Sequence, residues 1–229
     1  MNGVLYSVWG KGIEKDLERS IASLNATNPG IPYHVIGYPD DADLRWKSKS
    51  HNETLFDITI SLDADTVVLW SLDDVFRYAE EYGMAACINE NPWAIRGQGN
   101  HTNRYGDSLI EYNTGVLAWN KNNVEAVKVL NKWEELAFRM DASILWRAGV
   151  TTMIQEMNDQ PSFARACCDL GYQPFILPHV YNFRPMWHDQ FFGKIIIWHD
   201  HRDPPEYLSN YLERVKNDQL WHAIDVRAK

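Results

Sequence analysis

The sequence lacks the long apolar runs and the paired cysteines that mark membrane-spanning and disulfide-bonded proteins. No segment reaches the roughly 20 consecutive apolar residues that a membrane-spanning helix needs. The only cysteines are Cys87 and the adjacent Cys167 and Cys168, an odd number without the spacing of a zinc site. The first residues show no charged and then apolar leader, so we expect a cytoplasmic protein without an intrinsic membrane segment.

Positive charge is also scarce. The 229 residues carry 22 Lys and Arg against 31 Asp and Glu, a formal net charge of −9 at pH 7. Because proteins that bind nucleic acid need clustered cations to neutralise phosphates, we expect no nucleic-acid partner. An anionic ligand would therefore have to be bound locally, by a metal ion and a few cationic side chains.

Two aspartates interrupt the apolar run Ile58–Leu69. Asp63 and Asp65 are one residue apart, so on an extended chain their side chains point to the same side and Ala64 points away. Two carboxylates at the carboxyl end of a buried strand suit Mn²⁺ or Mg²⁺, at the sheet edge where open α/β sheets bind ligands. The alternative is a strand that ends in a turn, in which both carboxylates bind local backbone amides.

Apolar patterns and turn residues predict alternating strands and helices in residues 1–88. The predicted strands are Val4–Val8, Tyr33–Gly37, Ile58–Leu62 and Met84–Ile88. The predicted helices are Glu14–Leu24, Leu44–Phe56 and Leu72–Glu81, the last with Gly83 at its C-terminus. This alternation predicts an α/β fold, a parallel sheet covered by helices.

The second half of the chain begins with a connection rich in Gly and Asn, residues 89–111, which we interpret as a lid-like loop. The elements predicted after it are strand Tyr112–Asn120, helix Asn123–Phe138, a helix around Asn158–Gln160, strands Phe175–Leu177 and Lys194–Trp198, and a closing helix from Glu206 to Val215. No linker separates two domains, so the prediction is a single domain over residues 1–229.

Polar residues and short polar motifs, called polar signals below, lie at the ends of several of these elements. Read as chemistry, they form a metal site of two carboxylates and one imidazole beside groups that can bind a polar substrate. The signals are Lys47, Asp63 and Asp65, Asn113-Thr-Gly115, Asp159-Gln160, Tyr181-Asn182, and His199 after an apolar strand.

At this point the chain resembles the GT-A nucleotide-sugar glycosyltransferases, most closely glycosyltransferase family eight. Asp63–Leu69 with Asp73–Phe76 is similar to that family's DxD strand and following helix, and Tyr112–Leu117 to its (F/Y)N(A/S/T)GV segment. The later signals fall in the family's order. The resemblance implies a GT-A, Rossmann-like fold with a mixed, mostly parallel central sheet flanked by helices.

The same resemblance implies roles for single residues. Mn²⁺ or Mg²⁺ would be bound by Asp63, Asp65 and His199, and Asp159 and Gln160 would lie beside the reacting carbon. The nucleotide-sugar donor, with UDP as the implied nucleotide, would contact Tyr6, Ser7, Val8, Lys47, Ala64, Asp65, Asn113 and Gly115.

The implied activity is metal-dependent transfer of a hexose, with retention, from that donor to a glycan or another hydroxyl acceptor. Inversion with Asp159 as base stays an alternative. Residues 1–88 would form a nucleotide-binding half, 112–205 a donor-sugar and acceptor half, and 206–229 a C-terminal helix.

One segment departs from the family pattern. After its metal-binding His, the family has a Gly and then a Lys-Pro that binds the diphosphate, whereas this chain has His199-Asp-His-Arg-Asp-Pro-Pro205. Arg202 is a candidate for the phosphate contact, since guanidinium binds phosphate through two hydrogen bonds. His201 competes with His199 as the metal ligand.

Two other functions fit part of the sequence. In haloacid-dehalogenase-like phosphatases, a pair such as Asp63 and Asp65 supplies the nucleophile and the acid/base, although it normally follows the first strand. A non-catalytic nucleotide-sugar-binding protein would explain the missing Gly and Lys, because fold does not fix function.

Overall fold

A six-stranded sheet with helices on both faces forms the centre of the molecule. The computed structural model describes residues 1–89, 110–139, 144–148, 151–155, 158–188, 190–192, 194–205 and 223–225. The strands are β1 (Asn2–Val8), β2 (Tyr33–Gly37), β3 (Ile58–Leu62), β4 (Thr66–Val68), β5 (Met84–Ile88), β6 (Tyr112–Asn120), β7 (Ile144–Ala148), β8 (Thr151–Gln155), β9 (Phe175–Leu177), β10 (Gln190–Phe192), β11 (Ile197–His199) and β12 (Ala223–Asp225). The α-helices are α1 (Glu14–Thr27), α2 (Asp73–Tyr82), α3 (Val124–Ala137) and α4 (Gln160–Asp169).

The central sheet has the strand order β2-β1-β3-β6-β5-β9. Pairing is parallel between β1 and β2, β1 and β3, and β5 and β9, whereas β6 is antiparallel to both β3 and β5. Five strands therefore run in one direction and β6 runs against them. The prediction of a mixed, mostly parallel sheet flanked by helices is confirmed.

Alternation along the central strands divides the core into two layers. On one face, Tyr6, Ile60 and Cys87 pack with apolar residues of α1 and α2. On the other face, Trp119 packs with α3 and α4, whose contributions include Trp133. All five residues of β3 are buried, so the strand that precedes Asp63 is held from both sides.

Local signals set several helix ends. Asn123 caps α3, because its side-chain oxygen accepts a hydrogen bond from the Ala126 amide. Gly83 ends α2 with φ of 82°, a left-handed conformation that glycine adopts without a Cβ clash. Both ends lie within a residue of the predicted positions.

The segment Leu44–Phe56 differs from its prediction as a helix of that length. It forms a 3₁₀-helix, Leu44–Asn52, with Asp43 at its N-terminus. The segment has no apolar stripe that an α-helix could bury, and the residues it buries are Lys47, Ser48 and Ser50. A 3₁₀-helix brings residues three apart onto one side, so Lys47 and Ser50 face inward together.

Parts of the predicted second half lie outside the described residues. These are residues 90–109 of the lid-like loop and residues 206–222, which hold the predicted closing helix. Within 206–229, Ala223–Asp225 forms a strand paired with Gln190–Phe192, so the prediction of helix is wrong for those three residues. No helix in the described part of the chain is both long enough and apolar enough to cross a membrane.

Candidate metal and nucleotide site

The two aspartates lie at the carboxyl end of β3, in the turn that leads into β4. The Asp63 amide donates to the Gly115 carbonyl of β6 over 2.9 Å, and the Thr66 hydroxyl donates to the Asp63 carbonyl over 2.8 Å. These bonds fix the backbone of the turn. The carboxylates themselves stay partly exposed, with 27% of the Asp63 side chain and 20% of the Asp65 side chain accessible.

His199 reaches these carboxylates from β11, which pairs antiparallel with β4 and places His199 opposite Thr66. The His199 Nε2 atom lies 3.2 Å from Asp65 Oδ1 and 3.7 Å from Asp63 Oδ2. One ligand atom from each of the three residues lies within 4.8 Å of the other two. A six-coordinate ion with bonds of about 2.1 Å separates its ligand atoms by about 3 to 4 Å, so the set can close on a single cation.

A chain of amide hydrogen bonds determines which nitrogen of His199 faces the carboxylates. The Gly115 amide donates to Asn113 Oδ1 over 2.9 Å, and the same oxygen accepts from Asn182 Nδ2 over 2.9 Å. Asn182 therefore presents its oxygen to His199 Nδ1, 2.6 Å away, and that nitrogen must donate. Because Nδ1 carries a proton, Nε2 is the nitrogen that faces the carboxylates, and in the neutral ring it is the one whose lone pair can bind a metal.

Glycine at position 115 makes room for this imidazole. A Cβ atom at Gly115 would lie 2.3 Å from His199 Cε1 and 2.9 Å from Asn113 Oδ1. No side chain fits at such distances, so any larger residue would displace the ring. The Asn-Thr-Gly segment thus both orients and accommodates the third ligand.

The Lys47 ammonium places a positive charge beside the carboxylate of Asp63. The ammonium is buried and lies 2.5 Å from Asp63 Oδ1. Burial lowers the pKa of Lys47, but Asp63, Asp159 and Asp65 raise it by more, so the ammonium stays charged. Burial raises the pKa of Asp159, and the attraction of Lys47 and a 2.7 Å hydrogen bond from Thr114 offset only part of that rise.

Asp65 lies between two imidazoles. His201 Nε2 is 3.7 Å from Asp65 Oδ2, and His201 Nδ1 is 2.8 Å from Asp16 of α1. Burial raises the pKa of Asp65, but His199 and then His201 lower it by more, and the net pKa is well below the ordinary 3.8. The carboxylate is therefore ionised at neutral pH, the state that a metal ligand requires. His201 itself has a raised pKa, chiefly because of its hydrogen bond to Asp16.

A cavity of about 320 Å³ opens beside the carboxylates. Its walls come from the end of β1, the start of the 3₁₀-helix, the Asp63–Asp65 turn and the segment after β11. The residues that line it are Ser7, Val8, Trp9, Ile13, Leu44, Asp63, Ala64, Asp65 and His201. A second cavity of about 340 Å³ shares Val8, Trp9 and Ile13 with it and extends over Gly37 at the end of β2.

Several solved structures similar to this chain are glycosyltransferases. The galactosyltransferase LgtC, in complex with donor and acceptor sugar analogs, matches with a TM-score of 0.56 and 14% identity over 95% of this chain and 96% of its own. Mouse xyloside xylosyltransferase 1 matches with a TM-score of 0.58 and 10% identity, over 90% and 99% of the two chains. The fold is that of the GT-A glycosyltransferases.

A further similar structure is the glycosyltransferase GlyE of Streptococcus pneumoniae TIGR4. It has a TM-score of 0.54 and 14% identity, and the match covers 96% of this chain but 64% of the GlyE chain. No protein-family model and no curated protein matches the sequence. At such low identities the likeness establishes the fold, and the assignment of residues depends on the geometry of the site.

Most residues predicted for the site converge there. Asp63, Asp65 and His199 lie together, and His201 falls outside the group of ligand atoms within 4.8 Å of one another. Ser7, Val8 and Ala64 line the cavity, whereas the Tyr6 side chain is fully buried in the core and accepts a hydrogen bond from Ser20. Lys47 and Gly115 contact Asp63, Asn113 is joined to His199 through Asn182, and none of the three lines the cavity.

Asp159 and Gln160 start α4 close to Lys47. Asp159 occupies the N-cap position, but its carboxylate makes no cap bond and is 1% exposed. It turns inward to Thr114, and Asn158 accepts the Gln160 amide instead. The Gln160 side-chain oxygen is buried and has no hydrogen-bond partner in the described part of the chain.

The site also differs from the sequence analysis in one predicted residue and in several residues that were not predicted. The Arg202 guanidinium, the expected phosphate contact, is paired with Asp200 at 2.7 and 2.8 Å and does not line the cavity. The sequence analysis did not single out Trp9, which lines the cavity, or Asp16, which binds His201, because an isolated tryptophan and a charged helix residue look like ordinary surface positions. The sequence indicated Asn182 only because Tyr181-Asn182 falls at its expected place in the order of the family's motifs.

Proposed function

We propose that this chain is a metal-dependent glycosyltransferase that moves a hexose from a nucleotide-diphospho-sugar to a hydroxyl group of a carbohydrate or similar acceptor. The observation that carries the proposal is the convergence of Asp63, Asp65 and His199 Nε2 beside a cavity, on a GT-A fold. The order of the sequence motifs supports membership of glycosyltransferase family eight. The same resemblance supports a UDP-sugar as donor.

The residues present fit a divalent cation. Two carboxylates and an imidazole are a mixed oxygen and nitrogen donor set, which suits Mn²⁺, with Mg²⁺ as the alternative. Such an ion supplies Lewis-acid stabilisation of the negative charge that develops on a departing diphosphate. The chain's own part is to hold Asp63 against Lys47 and to keep the His199 lone pair directed at Asp65.

The cavity accounts for the nucleoside part of the donor. Trp9 lines the cavity and is an aromatic residue on which a base can stack. Ala64 lines the cavity between the two carboxylates and carries only a methyl group, so it leaves room for a ribose. Binding there would place the diphosphate next to Asp65.

Retention of configuration fits the surroundings of Asp159 better than inversion does. An inverting base needs a carboxylate open to the acceptor, but that of Asp159 is enclosed by Thr114 and Lys47. Its charge can hold Lys47 in place, and the buried Gln160 side-chain oxygen, without a hydrogen-bond partner in the described part of the chain, lies at the start of the same helix. Asp63 and Asp65 follow β3 and not the first strand, which disfavours a phosphatase of the haloacid-dehalogenase class.

The first test is a calorimetric titration with UDP, GDP and their common sugars, with and without Mn²⁺. We expect Mn²⁺-dependent binding of one nucleotide, lost in Asp65→Ala and kept in Asp41→Ala, a control at an exposed acidic residue. Release of free nucleotide from the bound sugar donor would then show turnover. Binding without release under any acceptor would favour the non-catalytic binder, and absence of nucleotide binding would contradict both.

A further inference from the structure

Arg19 joins the two chain segments that supply the candidate metal ligands. It lies on α1, and 19% of its side chain is exposed. Its guanidinium donates to the Asp200 carbonyl over 2.7 Å, to the His201 carbonyl over 2.8 Å and to the Asp65 carbonyl over 3.4 Å. One side chain thus contacts the backbone of the Asp63–Asp65 turn and of the turn after β11.

These carbonyls are close to the ligands themselves. Asp65 is a ligand residue, and Asp200 directly follows His199. The Asp200 amide also donates to the Asp65 carbonyl over 3.1 Å, so the two backbones touch at the point where Arg19 binds. A shift of either turn would change the distance between His199 Nε2 and the Asp65 carboxylate.

A guanidinium suits this position for a geometric reason. It carries five N–H donors in one rigid plane and no acceptor, so it can hold several carbonyl oxygens at once. A lysine ammonium is a single point charge on a flexible stem and can reach only some of them. The other Arg19 partners are Asp16 at 3.4 Å and Asp203 at 3.2 Å, and the Asp203 side chain is 81% exposed.

We infer that Arg19 is a positioning residue for the metal centre: it fixes the Asp65 turn against the turn after His199, and thereby sets the separation of the ligands. The inference rests on the proposed function, because it assigns Arg19 a role toward the metal that this function requires. Arg19 touches neither the metal nor the donor in this scheme. Its effect passes through the backbone of Asp65 and Asp200.

The experiment measures Mn²⁺ affinity by electron paramagnetic resonance, on the full chain without nucleotide and at a temperature where every variant is folded. We expect Arg19→Met to weaken Mn²⁺ binding about 10- to 100-fold, the usual loss when a group that orients ligands is removed. Arg19→Lys should recover part of the affinity, and the spectrum of bound Mn²⁺ should differ from wild type in both variants.

Two controls separate positioning from general stability. Asp203→Ala removes only the exposed partner of Arg19 and should leave Mn²⁺ affinity unchanged. Arg165→Lys alters a similarly part-buried arginine, paired with Asp169 on α4, and should also bind Mn²⁺ like wild type. A lower melting temperature with unchanged affinity and spectrum in Arg19→Met would overturn the inference alone. If wild type fails to bind Mn²⁺, the proposed function fails, and this inference with it.

Discussion

At the scale of single residues, the orientation of His199 follows from one backbone amide. The Gly115 N–H can only donate, so the Asn113 atom that it meets must be the side-chain oxygen. That oxygen accepts from the Asn182 NH₂ group, and the Asn182 oxygen then accepts from His199 Nδ1, which must carry a proton. Neither asparagine would need to touch the metal itself in order to affect its binding. The sequence singled out Asn113 as a residue of the donor pocket, and the structure places its side-chain oxygen in hydrogen bonds with the Gly115 amide and with Asn182.

Replacement of Asn182 by alanine should weaken metal binding without removing any ligand. We expect Mn²⁺ affinity to fall about 10- to 100-fold, because His199 Nδ1 loses its acceptor and the ring can rotate. Calorimetric titration with Mn²⁺ measures this directly. Asn122→Ala, at an exposed asparagine, is the matched control, and equal affinities in the two variants would contradict the relay.

At the scale of elements, the 3₁₀-helix Leu44–Asn52 explains how a lysine comes to lie among acids. Sequence patterns predict a helix there but not its type, since a polar segment carries no apolar period. The tighter 3₁₀ turn places the Lys47 ammonium beside the Asp63 carboxylate and close to Asp159. The element therefore supplies the positive charge that makes two buried or half-buried carboxylates tolerable.

Loss of this charge should be costly. Lys47→Met leaves Asp63 and Asp159 without their cation, and removal of one partner of a buried ion pair typically costs about 3–5 kcal/mol of unfolding free energy. Lys49→Met, in the same helix, removes an ammonium 3.9 Å above the Trp46 ring, an interaction of about 1 kcal/mol. Urea unfolding compares the two variants, and similar losses would show that Lys47 does not balance the acids.

At the scale of the whole molecule, one sheet separates two core layers, and each layer contains a buried cysteine. Cys87 belongs to the layer under α1 and α2, and Cys167 to the layer under α3 and α4, whereas Cys168 is exposed. Burial raises the pKa of the Cys167 thiol far above its usual 9.0, which suppresses the reactive thiolate. The thiols therefore report on the two layers separately.

Thiol labelling should show one fast and two slow cysteines in the native protein. We expect a disulfide reagent such as Ellman's to modify Cys168 at once, and Cys87 and Cys167 only upon unfolding. Both layers pack on the same strands, so the two buried thiols should become reactive together as urea is raised. A Cys168→Ser variant should lose the fast phase, and separate urea midpoints for Cys87 and Cys167 would contradict a single cooperative unit.

The sequence by itself determined the elements and the pair of carboxylates. Strand and helix periods are local, which is why β2, β3, β5, β6 and β9 have their predicted bounds, and alternation alone puts Asp63 and Asp65 on one side of the chain. Tertiary structure decided everything that joins distant segments: the pairing of β4 with β11, the approach of His199 to Asp63 and Asp65, and the burial of Lys47. From the sequence alone, Arg19 looks like an exposed charged residue, and its contacts with the turn after β11 are visible only in the structure. These contacts join residues that are far apart in the sequence, and no local pattern of residues encodes which distant segments pack together.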